Sequence, residues 1–157
     1  MRNLTKRMAI SGLGTALAIS LAVPAVAVPA MTNAEKLYRL DMMLRVTGAQ
    51  CSATTSDFRQ DYAAFWQAHR SDLGWASNTV WSRLAQRYGN ANVGRAFDRV
   101  SYGISSEFGS GHPWLGCADL KAVTHGLALV QGTGTLVEVA DQILPSRHIP
   151  RRTDAVY

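Results

Sequence analysis

The sequence predicts an all-α fold, a compact bundle of five to six helices closed by one disulfide. Three observations lead there. Apolar residues recur three and four apart along almost the whole chain, the spacing that lines one face of an α-helix. Strand signals are nearly missing, with no sustained apolar–polar alternation enriched in β-branched residues. The only two cysteines, Cys51 and Cys117, follow a segment with the form of an export signal.

That segment covers residues 1–30. Arg2, Lys6 and Arg7 give a positive start without an acidic residue, an apolar stretch runs from Met8 to Val23, and Ala25-Val26-Ala27 and Val28-Pro29-Ala30 are small-residue cleavage patterns. Cleavage is expected after Ala27 or Ala30. Gly12, Gly14, Pro24 and Pro29 leave the uninterrupted apolar run short of the roughly 20 residues that span a bilayer. No cysteine stands at either cleavage pattern to carry a lipid, and no later segment is apolar enough to cross a membrane. The expected location is periplasmic or extracellular, without stable membrane insertion after cleavage.

One domain is expected over 31–144. Its first helix starts at Thr32, where Thr32-Asn33-Ala34-Glu35 forms a capping box: hydroxyl and carboxylate each take a free backbone N–H. Leu37, Leu40, Met43 and Leu44 share a face, and Gly48 is expected to end the run. A second helix begins near Ser56-Asp57 with Phe58, Tyr62, Phe65 and His69 as its stripe. A third spans Trp75 to Tyr88 with Ala76, Val80, Leu84 and Tyr88 aligned, and Gly89-Asn90 closes it. The fourth covers Asn92 to Phe108 and presents Val93, Phe97, Val100, Ile104 and Phe108. The fifth spans Ala118 to Val130 through Leu120, Val123, Leu127 and Val130. A second capping box, Thr135-Leu136-Val137-Glu138, should open the last helix, which ends before Pro145. Gly126, Gly132 and Gly134 weaken the pattern between Leu127 and Val139 enough to admit a short hairpin. Residues 145–157 hold two prolines and three arginines in place of a periodic pattern and read as a flexible tail.

The formal net charge of +5 belongs to the two ends of the chain. The signal carries three bases and no acids, and the tail sets Arg147, Arg151 and Arg152 against Asp154. The body between them is neutral, which argues against a nucleic-acid partner, since phosphate binding needs a basic stripe. In an exported chain an isolated cysteine pair reads as a disulfide. Bridging Cys51 and Cys117 removes about 4 kcal/mol of unfolded-state entropy on the chain-entropy model. No metal or cofactor is expected: Cys51, Cys117, His112 and His125 lack the close ligand pairs of zinc sites.

The most unusual segment is Gly109-Ser110-Gly111-His112-Pro113-Trp114-Leu115-Gly116-Cys117. Read functionally, His112 is a general base or ligand contact, Trp114 an apolar wall, and Glu107 or Asp119 the carboxylate that orients the imidazole. Read structurally, it is an inter-helix turn in which Pro113 fixes φ and Trp114 plugs the core beside the disulfide. Elsewhere, Asp41 and Arg45 are spaced as an exposed i, i+4 pair, and Arg95, Asp98 and Arg99 as another charged group. His69 is expected to meet the helix C-terminal dipole or to pack partly buried. Met42 and Met43 fit pliable packing. Trp66 and Trp81 lie beside their stripes and imply either broad buried faces or a partner-binding patch.

The run Leu40-Asp41-Met42-Met43-Leu44-Arg45-Val46-Thr47, with Cys51, Asp61-Tyr62 and Gly111-His112-Pro113-Trp114-Leu115-Gly116-Cys117, resembles a family of small exported bacterial proteins. The resemblance covers nearly all of the chain after the signal and implies export without implying an activity. Members of that family sometimes carry the label S-adenosyl-L-homocysteine hydrolase, which these residues do not support. Enzymes of that name are large and use NAD on a Rossmann domain, whereas here no G-x-G-x-x-G lies between a strand and a helix. The expected function is a non-catalytic binding or interaction module for a small molecule or a protein, with loop 109–116 and exposed aromatics as its contact surface. The alternative is a small exported hydrolase using His112 with Asp119 or Glu107.

Overall fold

The computed structural model describes residues 31–144, so the expected signal and tail lie outside the described residues. Within them the chain is all-α, with six helices and no strand. These are α1 (Asn33–Cys51), α2 (Arg59–Ala68), α3 (Arg70–Tyr88), α4 (Val93–Phe108), α5 (Cys117–Leu129) and α6 (Thr133–Ile143). The hairpin admitted between Leu127 and Val139 does not form.

Helix α1 is the axis of the bundle. Its first turn is closed by the expected box, with Thr32 N donating to Glu35 Oε2 at 2.7 Å and Glu35 N to Thr32 Oγ1 at 3.4 Å. Eleven of its nineteen residues are buried, and it packs against each of the other five helices. A helix covered on several sides gives few polar positions to water, here Asn33, Arg45 and Gln50. Buried Thr47 therefore returns its hydroxyl to Met43 O at 2.8 Å.

Gly48 does not end this helix. It lies under the ring of Phe58, where an added Cβ would sit 3.4 Å from Cε2. The glycine serves close packing at the entry to α2, and α1 continues to Cys51. Freed carbonyls beyond it are taken by Ser52 Oγ on Ala49 O and Thr54 Oγ1 on Cys51 O, both at 2.8 Å.

Helix α3 also begins earlier than expected, at Arg70, leaving His69 as the single residue between it and α2. Backbone bonding runs through the bend, from His69 N to Phe65 O and from Leu73 N to His69 O, each at 3.0 Å. Neither proline nor glycine makes this bend. The buried His69 imidazole is tied across to α5, its Nε2 lying 2.8 Å from Leu127 O. Along α3, Leu73, Ala76 and Val80 are buried while Tyr88 is exposed, and Gly89 at φ +77° closes the helix.

Helix α6 opens at Thr133 instead of Thr135, and the second capping box does not form. Gly132 turns the chain at φ +88°, and Thr133 Oγ1 donates to Asp72 Oδ1 at 2.6 Å. That bond ties α6 to the first turn of α3, a tertiary preference that overrides the local motif. The core encloses Leu37, Leu40, Met43 and Leu44 of α1 with Phe58, Phe65, Phe108, Leu120 and Leu136. The Cys51–Cys117 disulfide, with 5.7 Å between the Cα atoms, joins the last residue of α1 to the first of α5.

Candidate functional site

Loop 109–116 connects α4 to α5 and holds His112 beneath the surface, 9 % exposed. Its Nδ1 accepts from Leu115 N at 3.1 Å and from Trp114 N at 3.4 Å. An accepting Nδ1 places the imidazole hydrogen on Nε2, which donates to Ile143 O at 2.7 Å. The ring stacks on Phe108 at 5.9 Å between centroids and meets Trp114 edge-on at 4.7 Å. Both nitrogens are thus committed to backbone.

The two expected carboxylate partners are engaged elsewhere. Asp119 Oδ2 accepts from Gly116 N at 3.1 Å and caps α5, while Glu107 pairs with Arg39. Neither is a hydrogen-bond partner of the imidazole, so the structure does not assemble His112, Asp119 and Glu107 as a proton-transfer set. Trp114 does not plug the core; it lies 55 % exposed on the loop. Of the two residues expected at a contact surface, only Trp114 presents its side chain to solvent.

Among the described residues the two buried histidines, His69 and His112, instead finish helices. His69 Nε2 meets Leu127 O in the last turn of α5, and His112 Nε2 meets Ile143 O at the end of α6. The last carbonyls of a helix lack partners within it, and each imidazole supplies one from a distant part of the chain.

Asp41 is part-buried, and its carboxylate accepts from Tyr62 OH at 2.8 Å instead of forming an exposed pair with Arg45. Arg95 reaches Asn92 in place of Asp98. Trp66 and Trp81 are both exposed, with Trp81 tilted against Phe97 at 5.3 Å. Met42 and Met43 are buried in the core cluster.

Burial pushes Asp41 above the ordinary carboxylate value of 3.8, against the opposing influence of the Tyr62 hydrogen bond and nearby Arg45. Tyr62 is raised in turn by its own burial and by the Asp41 charge. Between 3.8 and the raised value, the folded protein keeps a proton that the unfolded chain has released. Stability is then lost as pH rises through that interval. The stability of the native protein relative to Asp41→Asn should accordingly fall from about pH 3 to about pH 7 in urea unfolding. A flat or rising difference would refute the assignment.

The concave feature that sequence reasoning missed lies between α1, α3 and α4. It is a cleft of about 570 Å³. Val80 and Leu84 of α3 and Val100 and Ile104 of α4 supply apolar lining; Glu35, Tyr38 and Arg39 come from α1, and Arg83, Arg87 and Tyr88 from α3. Tyr38 is held in place through α4: Ser101 Oγ donates to Phe97 O at 2.9 Å, so the Tyr38 hydroxyl is the donor to Ser101 Oγ at 2.6 Å. Arg39 is only 6 % exposed. It pairs with Glu107, lies over the Phe108 ring at 5.5 Å, and has its enclosed Nε without a hydrogen-bond partner among the described residues. The sequence carried no signal for this, because Arg39 is drawn inward only by the packing of five helices around α1.

Among the described residues no group of three metal-ligating side chains forms, and no helix is long and apolar enough to cross a membrane. Comparison with known proteins gives no matching family model, no matching curated protein and no matching solved structure.

Proposed function

We propose that this chain is an exported, non-catalytic binding protein that holds a small molecule in the cleft between α1, α3 and α4. One observation carries the proposal: a cleft of about 570 Å³ whose lining combines apolar side chains with a few charged groups. Small-molecule sites have this size and this mixture. Catalysis is disfavoured by the lining itself. Its titratable groups are one glutamate, two tyrosines and three arginines, and Glu35 is engaged with the backbone N–H and hydroxyl of Thr32. That set offers no nucleophile paired with a base. Export is supported by the form of residues 1–30 and by a disulfide, a bond favoured in oxidising compartments.

A thermal-shift screen of the purified protein against metabolites tests the proposal, with each hit repeated on Leu84→Trp. The added indole should fill the cleft from its α3 wall. A ligand at a hundredfold excess over its Kd stabilises the protein by about 2.7 kcal/mol, and that gain should vanish in the variant. Hits that stabilise Leu84→Trp as strongly as the native chain would overturn the proposal.

A further inference from the structure

The charge pattern of the cleft narrows the chemistry of its occupant, on the premise that the cleft is the binding site. Arg83 and Arg87 stand four apart on α3 and both line it. Like charges at that spacing repel on a helix surface, and a carboxylate between them would ordinarily offset the cost. Glu35 Oε1 lies 4.0 Å from Arg83 Nη1, at the limit of an ion pair, while Glu35 Oε2 accepts from Thr32 N and Thr32 Oγ1 at 2.7 and 3.1 Å. Glu107 pairs with Arg39. Among the described residues no acidic side chain pairs with Arg87. The α3 wall therefore sets two guanidinium groups against the single carboxylate of Glu35, in a lining shared with Val80, Leu84, Val100 and Ile104.

Apolar surface adjoining paired cationic forks fits one class of molecule. We propose that the cleft binds a small amphipathic carboxylate, its apolar or aromatic body against Val80, Leu84, Val100 and Ile104 and its carboxylate against Arg83 and Arg87. Guanidinium suits this partner because its planar fork matches the two carboxylate oxygens. The bound anion also relieves the repulsion between the two arginines, so binding and helix stability reinforce each other. A cationic amphiphile would add to that repulsion. A neutral one would gain only the apolar contact.

Calorimetric titration of the purified protein with decanoate, 3-phenylpropanoate, decan-1-ol and decyltrimethylammonium, all below micelle-forming concentrations, tests this. At least one of the two acids should bind, and the alcohol at least about tenfold more weakly than decanoate, the difference expected when a charge-assisted bond of about 1.4 kcal/mol or more is lost. Arg83→Gln/Arg87→Gln should weaken acid binding at least about tenfold while melting no lower than the native protein, since it removes a like-charge pair. Acid and alcohol binding alike, both abolished in Leu84→Trp, would overturn the carboxylate assignment and leave the cleft as the site. Acid binding that survives Leu84→Trp would overturn the cleft itself. Binding of the ammonium probe in preference to the acids, or of no acid at all, would overturn the proposed ligand class.

Discussion

Cys51→Ser should lower the stability of the protein by about 4 kcal/mol on the chain-entropy model, which for a domain of this size is a fall in melting temperature of roughly 15 °C. The bridge spans a sequence separation of 66, and the loss is written mainly in the unfolded chain, whose ends at α1 and α5 are no longer held together. Its position makes the effect global. In the folded state α5 packs chiefly on α2 and only lightly on α1, and the disulfide is the covalent link between the central helix and that outer pair. Reduction of the native protein should reproduce the loss, the variant should be insensitive to reductant, and thiol titration should find one free cysteine in it. Equal melting of oxidised and reduced native protein would show that the link is dispensable.

What the sequence made legible was local. Thr32 and Glu35 lie within one turn of each other, so their capping box depends on nothing distant and forms as read. Thr135 and Glu138 offer the same local chemistry, yet α6 opens two residues earlier because Thr133 finds Asp72 on another helix. Gly48 carried the usual signal for a helix end, and its role was decided by the Phe58 ring, which arrives from ten residues further on. In each case a residue with two admissible local uses was assigned by a partner that periodicity does not reveal.

The cleft was hidden for a related reason. Reading α1 as one apolar stripe assigns Leu37, Leu40, Met43 and Leu44 to the core and leaves Arg39 on a solvated side. Because five helices surround α1, that side is covered as well, and Arg39 is buried with an unpartnered Nε. Sequence spacing alone does not say how many sides of a helix will be covered. Nor does it bring Arg83 and Arg87 of α3 opposite Val100 and Ile104 of α4, which is the juxtaposition on which the proposed ligand rests.

His112→Ala separates a structural histidine from a catalytic one. Removing the imidazole leaves Leu115 N–H, Trp114 N–H and Ile143 C=O without their present partners. It also removes the ring stacked on Phe108. A buried group left unsatisfied costs about 1–3 kcal/mol. Water can relieve part of that cost, because the loop beside Trp114 is exposed, and the longer 3.4 Å contact contributes least. A net loss of about 3 kcal/mol is therefore expected in urea unfolding, accompanied by faster amide exchange at Leu115. Glutamine can still offer one acceptor and one donor, and His112→Gln should recover part of the stability. A general base would behave otherwise. Such a residue keeps a nitrogen free for substrate, and its loss typically leaves stability unchanged or improved where function and stability trade off. If His112→Ala melts with the native protein, the imidazole is not the clasp between the α4–α5 loop and the end of α6, and its commitment to backbone is lost as the reason that His112, Asp119 and Glu107 form no catalytic set.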